Sequence, residues 1–185
     1  MAERPNVEER LAMYREAEVA LREFFSADKY CLENCIKQEF SKFRTWNSPG
    51  RLGCCDHNYF EWCLEPNYPG SSQTLKEFKK LQQENATCQV HREGECDYHS
   101  ETGCQVKQYL SPICLGFICV SHIQYLAKTY GIEYSEKTGN RLGGILDGIE
   151  TQKNLNIWLT KIRKATERVK KGKRKQTKNQ KVIEI

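Results

Sequence analysis

Apolar residues recur with a helical period near both ends of the chain. Over residues 6–27, Leu11, Tyr14, Ala17, Leu21, Phe24 and Phe25 fall on one face, with Glu and Arg between them. That spacing predicts an amphipathic helix, interrupted by Asp28 and Lys29 just before Cys31. Over residues 140–168, Leu142, Ile145, Leu146, Ile149, Leu155, Trp158, Leu159, Ile162 and Ala165 mark the buried face of one long helix. Gly143, Gly144 and Gly148 weaken its first half, each by about 1 kcal/mol relative to alanine. Ser111-Pro112 reads as a helix start, a hydroxyl N-cap followed by proline at the first helical position. The predicted helix runs to Tyr130 with Gly131 as its cap, and its first half is apolar nearly all round, as a buried helix is. A shorter helix carries Leu75, Phe78 and Leu81 on one face behind a Thr74/Glu77 capping-box pattern.

Between these helices, turn signals break the pattern at Ser48-Pro49-Gly50, Pro66-Asn67, Pro69-Gly70 and Gly94. A loop-rich segment of this kind does not bury enough apolar surface to offset its conformational entropy, and metal cross-links would supply the missing stabilisation. The expected fold is mainly α: a small helical domain over residues 1–169 with a loop-rich, metal-stabilised cysteine core. The ligand region spans 31–119, helices at 6–27 and 140–168 flank it, and a disordered basic tail covers 170–185.

Length changes little, since 185 residues suit one domain. Mean hydropathy is −0.74, and no apolar run is long enough for a membrane span. The first ten residues lack the apolar core of a signal peptide. The expectation is a cytoplasmic protein without membrane contact. The net charge of +5 is unevenly placed: residues 170–185 hold seven Lys or Arg against one Glu, leaving residues 1–169 at −1. The tail could meet nucleic acid or another polyanion by counterion release, although it lacks aromatic residues for base stacking. Its other reading is a solubilising extension.

Cysteine changes the picture most. All ten lie between Cys31 and Cys119. Without an export signal, clustered cysteines point to metal ligation before disulfides; a disulfide scaffold and scattered buried thiols are the alternatives. If residues 31–35 are helical, Cys31 and Cys35 share a face one turn apart. Cys54 and Cys55 are adjacent, which strains an internal bridge but suits ligands, and Gly53 allows close backbone approach. Cys114 falls in the first turn of its predicted helix, where the free N–H groups favour a thiolate. Cys119, five residues on, would lie about 140° round that same helix.

Gly53-Cys54-Cys55, followed by Cys96-Asp97-Tyr98-His99, then Gly103-Cys104 and Ser111-Pro112-Ile113-Cys114, resembles the YkgJ-like family of zinc- or iron-chelating cysteine-cluster proteins. The resemblance covers roughly residues 31–119. It implies metal or iron–sulfur binding; some members of that family are linked to lysine methylation of flagellin. Cys63, Cys88 and Cys119 lie beyond the family pattern.

The expected ligands are Cys31, Cys35, Cys54, Cys55, Cys96, Cys104, Cys114 and Cys119, enough for two four-thiolate sites, with Cys63 and Cys88 as spares. Four thiolates suit zinc or an iron–sulfur cluster of the 4Fe–4S kind. The absence of paired Cys-x2-Cys knuckles favours the cluster. His57, His91 and His99 lie among the cysteines and could replace a thiolate on zinc, but read first as surface or hydrogen-bonding histidines; His122, three residues after Cys119, reads first as a buried or half-buried helix histidine, with a role as a ligand or beside one as the alternative. Tyr59, Phe60 and Trp62 could shield a centre from water or simply pack. The functional expectation is a metal-binding protein with a structural, redox or electron-transfer role. Its alternatives are a zinc-stabilised interaction module whose basic tail contacts nucleic acid, and a metal-dependent protein-modifying enzyme. No Walker loop, Rossmann fingerprint, zinc-protease motif or Ser-His-Asp pattern is present.

Overall fold

Helix α1, Val7–Asp28, begins where the sequence predicts and is closed by a capping box: the Asn6 side chain accepts from the Glu9 N–H at 3.0 Å, and the Glu9 carboxylate accepts from the Asn6 N–H at 2.7 Å. A computed structural model of the chain describes residues 4–36, 72–85, 99–100, 103–104, 106–135, 137–172 and 182–185. After α1 come a π-helical turn (Leu32–Ile36), α2 (Ser72–Glu84), β1 (His99–Ser100), β2 (Gly103–Cys104), α3 (Pro112–Gly116) and α4 (Val120–Tyr130). β3 (Ile132–Glu133), α5 (Thr138–Leu146), α6 (Gln152–Lys170) and β4 (Ile183–Glu184) complete the described elements. The described part is therefore mainly helical.

The core lies where α1 packs against α6 and α5. Tyr14, Leu21 and Phe24 of α1 are fully buried, as are Leu142 and Ile145 of α5 and Ile162 of α6. α2 joins through Phe78, whose ring meets Tyr14 edge-on at 4.9 Å and Tyr109 at 5.7 Å. Thr74 is not the cap its spacing suggested. It lies inside α2, buried, with the Arg10 guanidinium donating to its hydroxyl at 3.4 Å.

One buried carboxylate ties α1 to the segment 106–110. Glu18, fully buried, accepts from the Tyr109 and Leu110 N–H groups at 2.8 and 3.0 Å and pairs with Arg15 and Arg22. Arg22 also donates to the Val106 carbonyl at 2.7 Å, and the Tyr14 hydroxyl donates to the Leu110 carbonyl. Apolar periodicity places Tyr14 in the core but gives no hint that Glu18 belongs there too.

Two predicted helices each divide. The 111–130 helix becomes α3 and α4, with Phe117 extended (φ −89, ψ 129) and Cys119 as the N-cap of α4. The reason is tertiary. Gly116 sits so close to α5 that an added Cβ would lie 2.5 Å from the Gly139 nitrogen. Its carbonyl, the natural acceptor for the Val120 N–H, instead takes the buried Tyr134 hydroxyl at 2.9 Å. The 140–168 helix becomes α5 and α6. Gly148, at φ 71, donates its N–H to Ile145 O at 3.0 Å, and Ile149 donates to Gly144 O at 2.8 Å. That pairing is a Schellman stop, and Thr151 then caps α6 by accepting from the Asn154 N–H.

The basic tail differs from expectation at both ends. Lys170 completes α6, and Val182–Ile185 return to the body: Ile183 and Glu184 pair in parallel with Ile132 and Glu133, and Ile185 is buried. Residues 173–181 lie outside the described residues.

Candidate metal centre

The chain leaves α1 through Lys29, a non-glycine residue in the left-handed region at φ 56, whose N–H still bonds Phe25 O. This bend sets the last residue of α1, Asp28, and the first cysteine, Cys31, on either side of one imidazole. That ring belongs to His122, in the first turn of α4, its backbone N–H held by Cys119 O at 3.0 Å. His122 Nδ1 lies 3.3 Å from Cys31 Sγ, and its Nε2 bonds Asp28 Oδ2. The histidine and aspartate side chains are 1% and 0% exposed, whereas Cys31 is half-buried. The Tyr30 N–H reaches the same Asp28 oxygen at 3.3 Å.

Aromatic rings fix the imidazole plane. Tyr30 stacks on His122 with centroids 4.6 Å apart and planes 14° apart, and Phe25 approaches at 6.1 Å. Tyr125 packs on Tyr30 in turn, its hydroxyl 3.3 Å from that of Tyr130. Burial pushes the Tyr134 phenol above its ordinary range; a bond with Thr138 opposes this, and the nearby Cys31 adds to it.

In a neutral imidazole, a carboxylate at Nε2 favours the tautomer protonated there, which leaves the Nδ1 lone pair on the side of Cys31. Two ligands at about 2.3 Å (sulfur) and about 2.05 Å (nitrogen) from a tetrahedral zinc would stand about 3.6 Å apart. The 3.3 Å found here fits such a pair within a few tenths of an ångström. Asp28 Oδ1, the carboxylate oxygen that does not meet His122, is buried without a hydrogen-bond partner. Among the described residues no three Cys, His, Asp or Glu side chains converge as a complete metal site.

The expected ligands fall as follows. Cys31 stands at the imidazole. Cys35 lies in the π-helical turn, a kind of turn frequent at functional sites. Cys104 is exposed on β2, in register with His99 on β1. Cys114 is half-buried in the first turn of α3, its N–H 3.4 Å from the Ser111 hydroxyl. Cys119 is half-buried at the start of α4, so it and Cys114 belong to two helices rather than one. Cys54, Cys55 and Cys96 lie outside the described residues, as do Cys63, Cys88, His57, His91, Tyr59, Phe60 and Trp62.

His122 is buried, as expected, but it also faces a cysteine 91 positions away, which no local pattern encodes. Asp28, read from sequence as a break in a helix, is its partner. The nearest sequence signals were the three-residue spacing from Asp28 to Cys31 and that from Cys119 to His122.

No helix among the described residues is long and apolar enough to cross a membrane. The chain matches no family model, no curated protein and no solved structure.

Proposed function

We propose that this is a metal-binding protein, and that Cys31 Sγ and His122 Nδ1 are two ligands of one centre. The 3.3 Å approach of these two atoms, with the other imidazole nitrogen held by Asp28, carries the reading. The remaining ligands of this centre come from Cys35, Cys54, Cys55 and Cys96, because among the described side chains no third Cys, His, Asp or Glu joins the pair. A mixed thiolate–imidazole pair favours zinc over the all-thiolate iron–sulfur cluster that the spacings suggested, because imidazole backed by a carboxylate is a common zinc ligand. Zinc here would clamp the end of α1 to the start of α4. The resemblance to the YkgJ-like family supports metal binding without choosing between zinc and iron, and thiolate ligands suit a reducing, cytoplasmic compartment.

Metal analysis and visible spectroscopy of anaerobically purified protein test this. The expected result is stoichiometric zinc without visible colour. Cobalt substitution should give thiolate-to-cobalt absorption that Cys31→Ser weakens by the share of one thiolate and His122→Gln shifts. Folded protein that takes up no metal defeats the reading; a brown iron–sulfur spectrum would keep the metal and overturn zinc.

One second reading rests on the same geometry. Cys31, His122 and Asp28 stand in the order nucleophile, base and orienting acid used by thiol enzymes. A catalytic thiol predicts fast alkylation of Cys31 in metal-loaded protein, slowed by His122→Gln. A liganded thiol is instead protected by the metal and released by a chelator.

A further inference from the structure

Charge is segregated along this chain. The last 34 residues, 152–185, hold twelve Lys or Arg against two Glu, whereas residues 1–151 carry five more acids than bases. The structure turns part of this excess into a surface. α6 buries Leu155, Trp158, Leu159, Ile162, Ala165, Thr166 and Val169 against the body. Lys153, Lys161, Arg163, Lys164 and Lys171 are exposed. At 3.6 residues per turn, Lys153, Lys164 and Lys171 lie on one line opposite the buried face, with Lys161 beside it. That line is about 27 Å long at about 1.5 Å per residue. Its acidic relief is slight: Glu167 stands 3.9 Å from Lys171, and Glu23 of α1 takes Lys170, which lies off the line. None of Lys153, Lys161, Arg163 and Lys164 has an ion-pair partner among the described residues.

We propose that the outward face of α6 binds the phosphate backbone of duplex nucleic acid. A straight row of cations along one helix face complements a polyanion carrying one charge per about 1.7 Å of axis. Binding of single strands by stacking calls for exposed aromatics. The tryptophan of α6 is buried, and the exposed apolar residue among these lysines is aliphatic, Ile157. One exposed isoleucine also falls short of the apolar face with which a helix enters a bilayer surface. Recognition through phosphates is indifferent to base sequence. This proposal stands apart from the metal reading, since it uses neither Cys31 nor His122.

The test is fluorescence anisotropy of the metal-loaded full chain with labelled duplex DNA, between about 50 and about 200 mM salt. The triple variant Lys153→Gln, Lys161→Gln, Lys164→Gln removes three cations from a solvent-facing surface and keeps good helix formers. Wild type is expected to bind, and the variant at least tenfold more weakly at the lowest salt. The slope of log affinity against log salt should become shallower by about 2–3. Arginine at the same three positions should restore binding. The proposal is overturned if wild type does not bind duplex, or if the glutamine variant matches it in affinity and slope. It is overturned equally if phosphatidylserine vesicles are bound through these lysines while duplex is not. Metal content measured on the same samples reports on the metal centre separately.

Discussion

Replacing Asp28 by asparagine separates a metal centre from an ordinary buried polar cluster. Asparagine has the same shape, and its amide oxygen still accepts from His122 Nε2, so the ring keeps its place; what disappears is the negative charge. In the metal-bound protein that charge raises the basicity of Nδ1, and losing such a partner typically weakens metal binding 10- to 100-fold, about 1.4–2.8 kcal/mol. In the metal-free protein two effects oppose each other. The Asp28 side chain is fully buried and its Oδ1 has no partner, so removing the charge relieves a desolvation cost. Against this, the new amide N–H group lacks an acceptor at the same place. Metal-free stability should therefore change by only about 1 kcal/mol or less. Competition against a chromophoric zinc chelator gives the affinity, and urea unfolding of metal-free protein gives the stability. Wild-type metal affinity in Asp28→Asn would refute the reasoning, as would a loss of stability with no loss of affinity.

Glu18→Ala strands two backbone N–H groups and two guanidinium partners, and should cost about 3 kcal/mol, a fall in Tm of roughly 6–12 °C, read by thermal unfolding. The two glycines Gly116 and Gly143 should respond in opposite directions. Gly116→Ala drives a Cβ into the Gly139 backbone and should destabilise by about 2–3 kcal/mol, whereas Gly143→Ala meets nothing within 4 Å and should stabilise α5 by about 0.5–1 kcal/mol; denaturant midpoints check both. The buried Tyr134 phenol stays protonated in the folded chain above its ordinary range, while the unfolded chain releases that proton near pH ~10. The resulting stability is complete below about pH 10 and is lost as pH rises beyond it. Unfolding midpoints at successive alkaline pH values should show this decline, less steeply in Tyr134→Phe.

Where local chemistry decides the outcome, the sequence was legible. Helix α1 runs within a residue of the predicted 6–27, Ser111-Pro112 opens α3, and Gly131 closes α4 in the left-handed conformation at φ 63. Gly148 carried a stop signal that helical periodicity on both sides of it masked: Leu142 and Ile145 before it and Leu155 and Trp158 after it all face the core, on two helices rather than one. The break after Gly116 had no signal at all, because its causes, Gly139 and Tyr134, lie in a different part of the chain.

Cysteine content alone raised the expectation of metal chemistry, and apolar spacing alone gave most of the buried helical faces, with Phe117, Val120 and Ile149 exposed against expectation, because both depend on residue type and near neighbours. Only the tertiary structure could choose His122 and Asp28 as companions of Cys31. Their meeting depends on α1 and α4 packing at one place, across 94 and 91 positions of sequence, and hydrophobic burial over the whole core decides that packing.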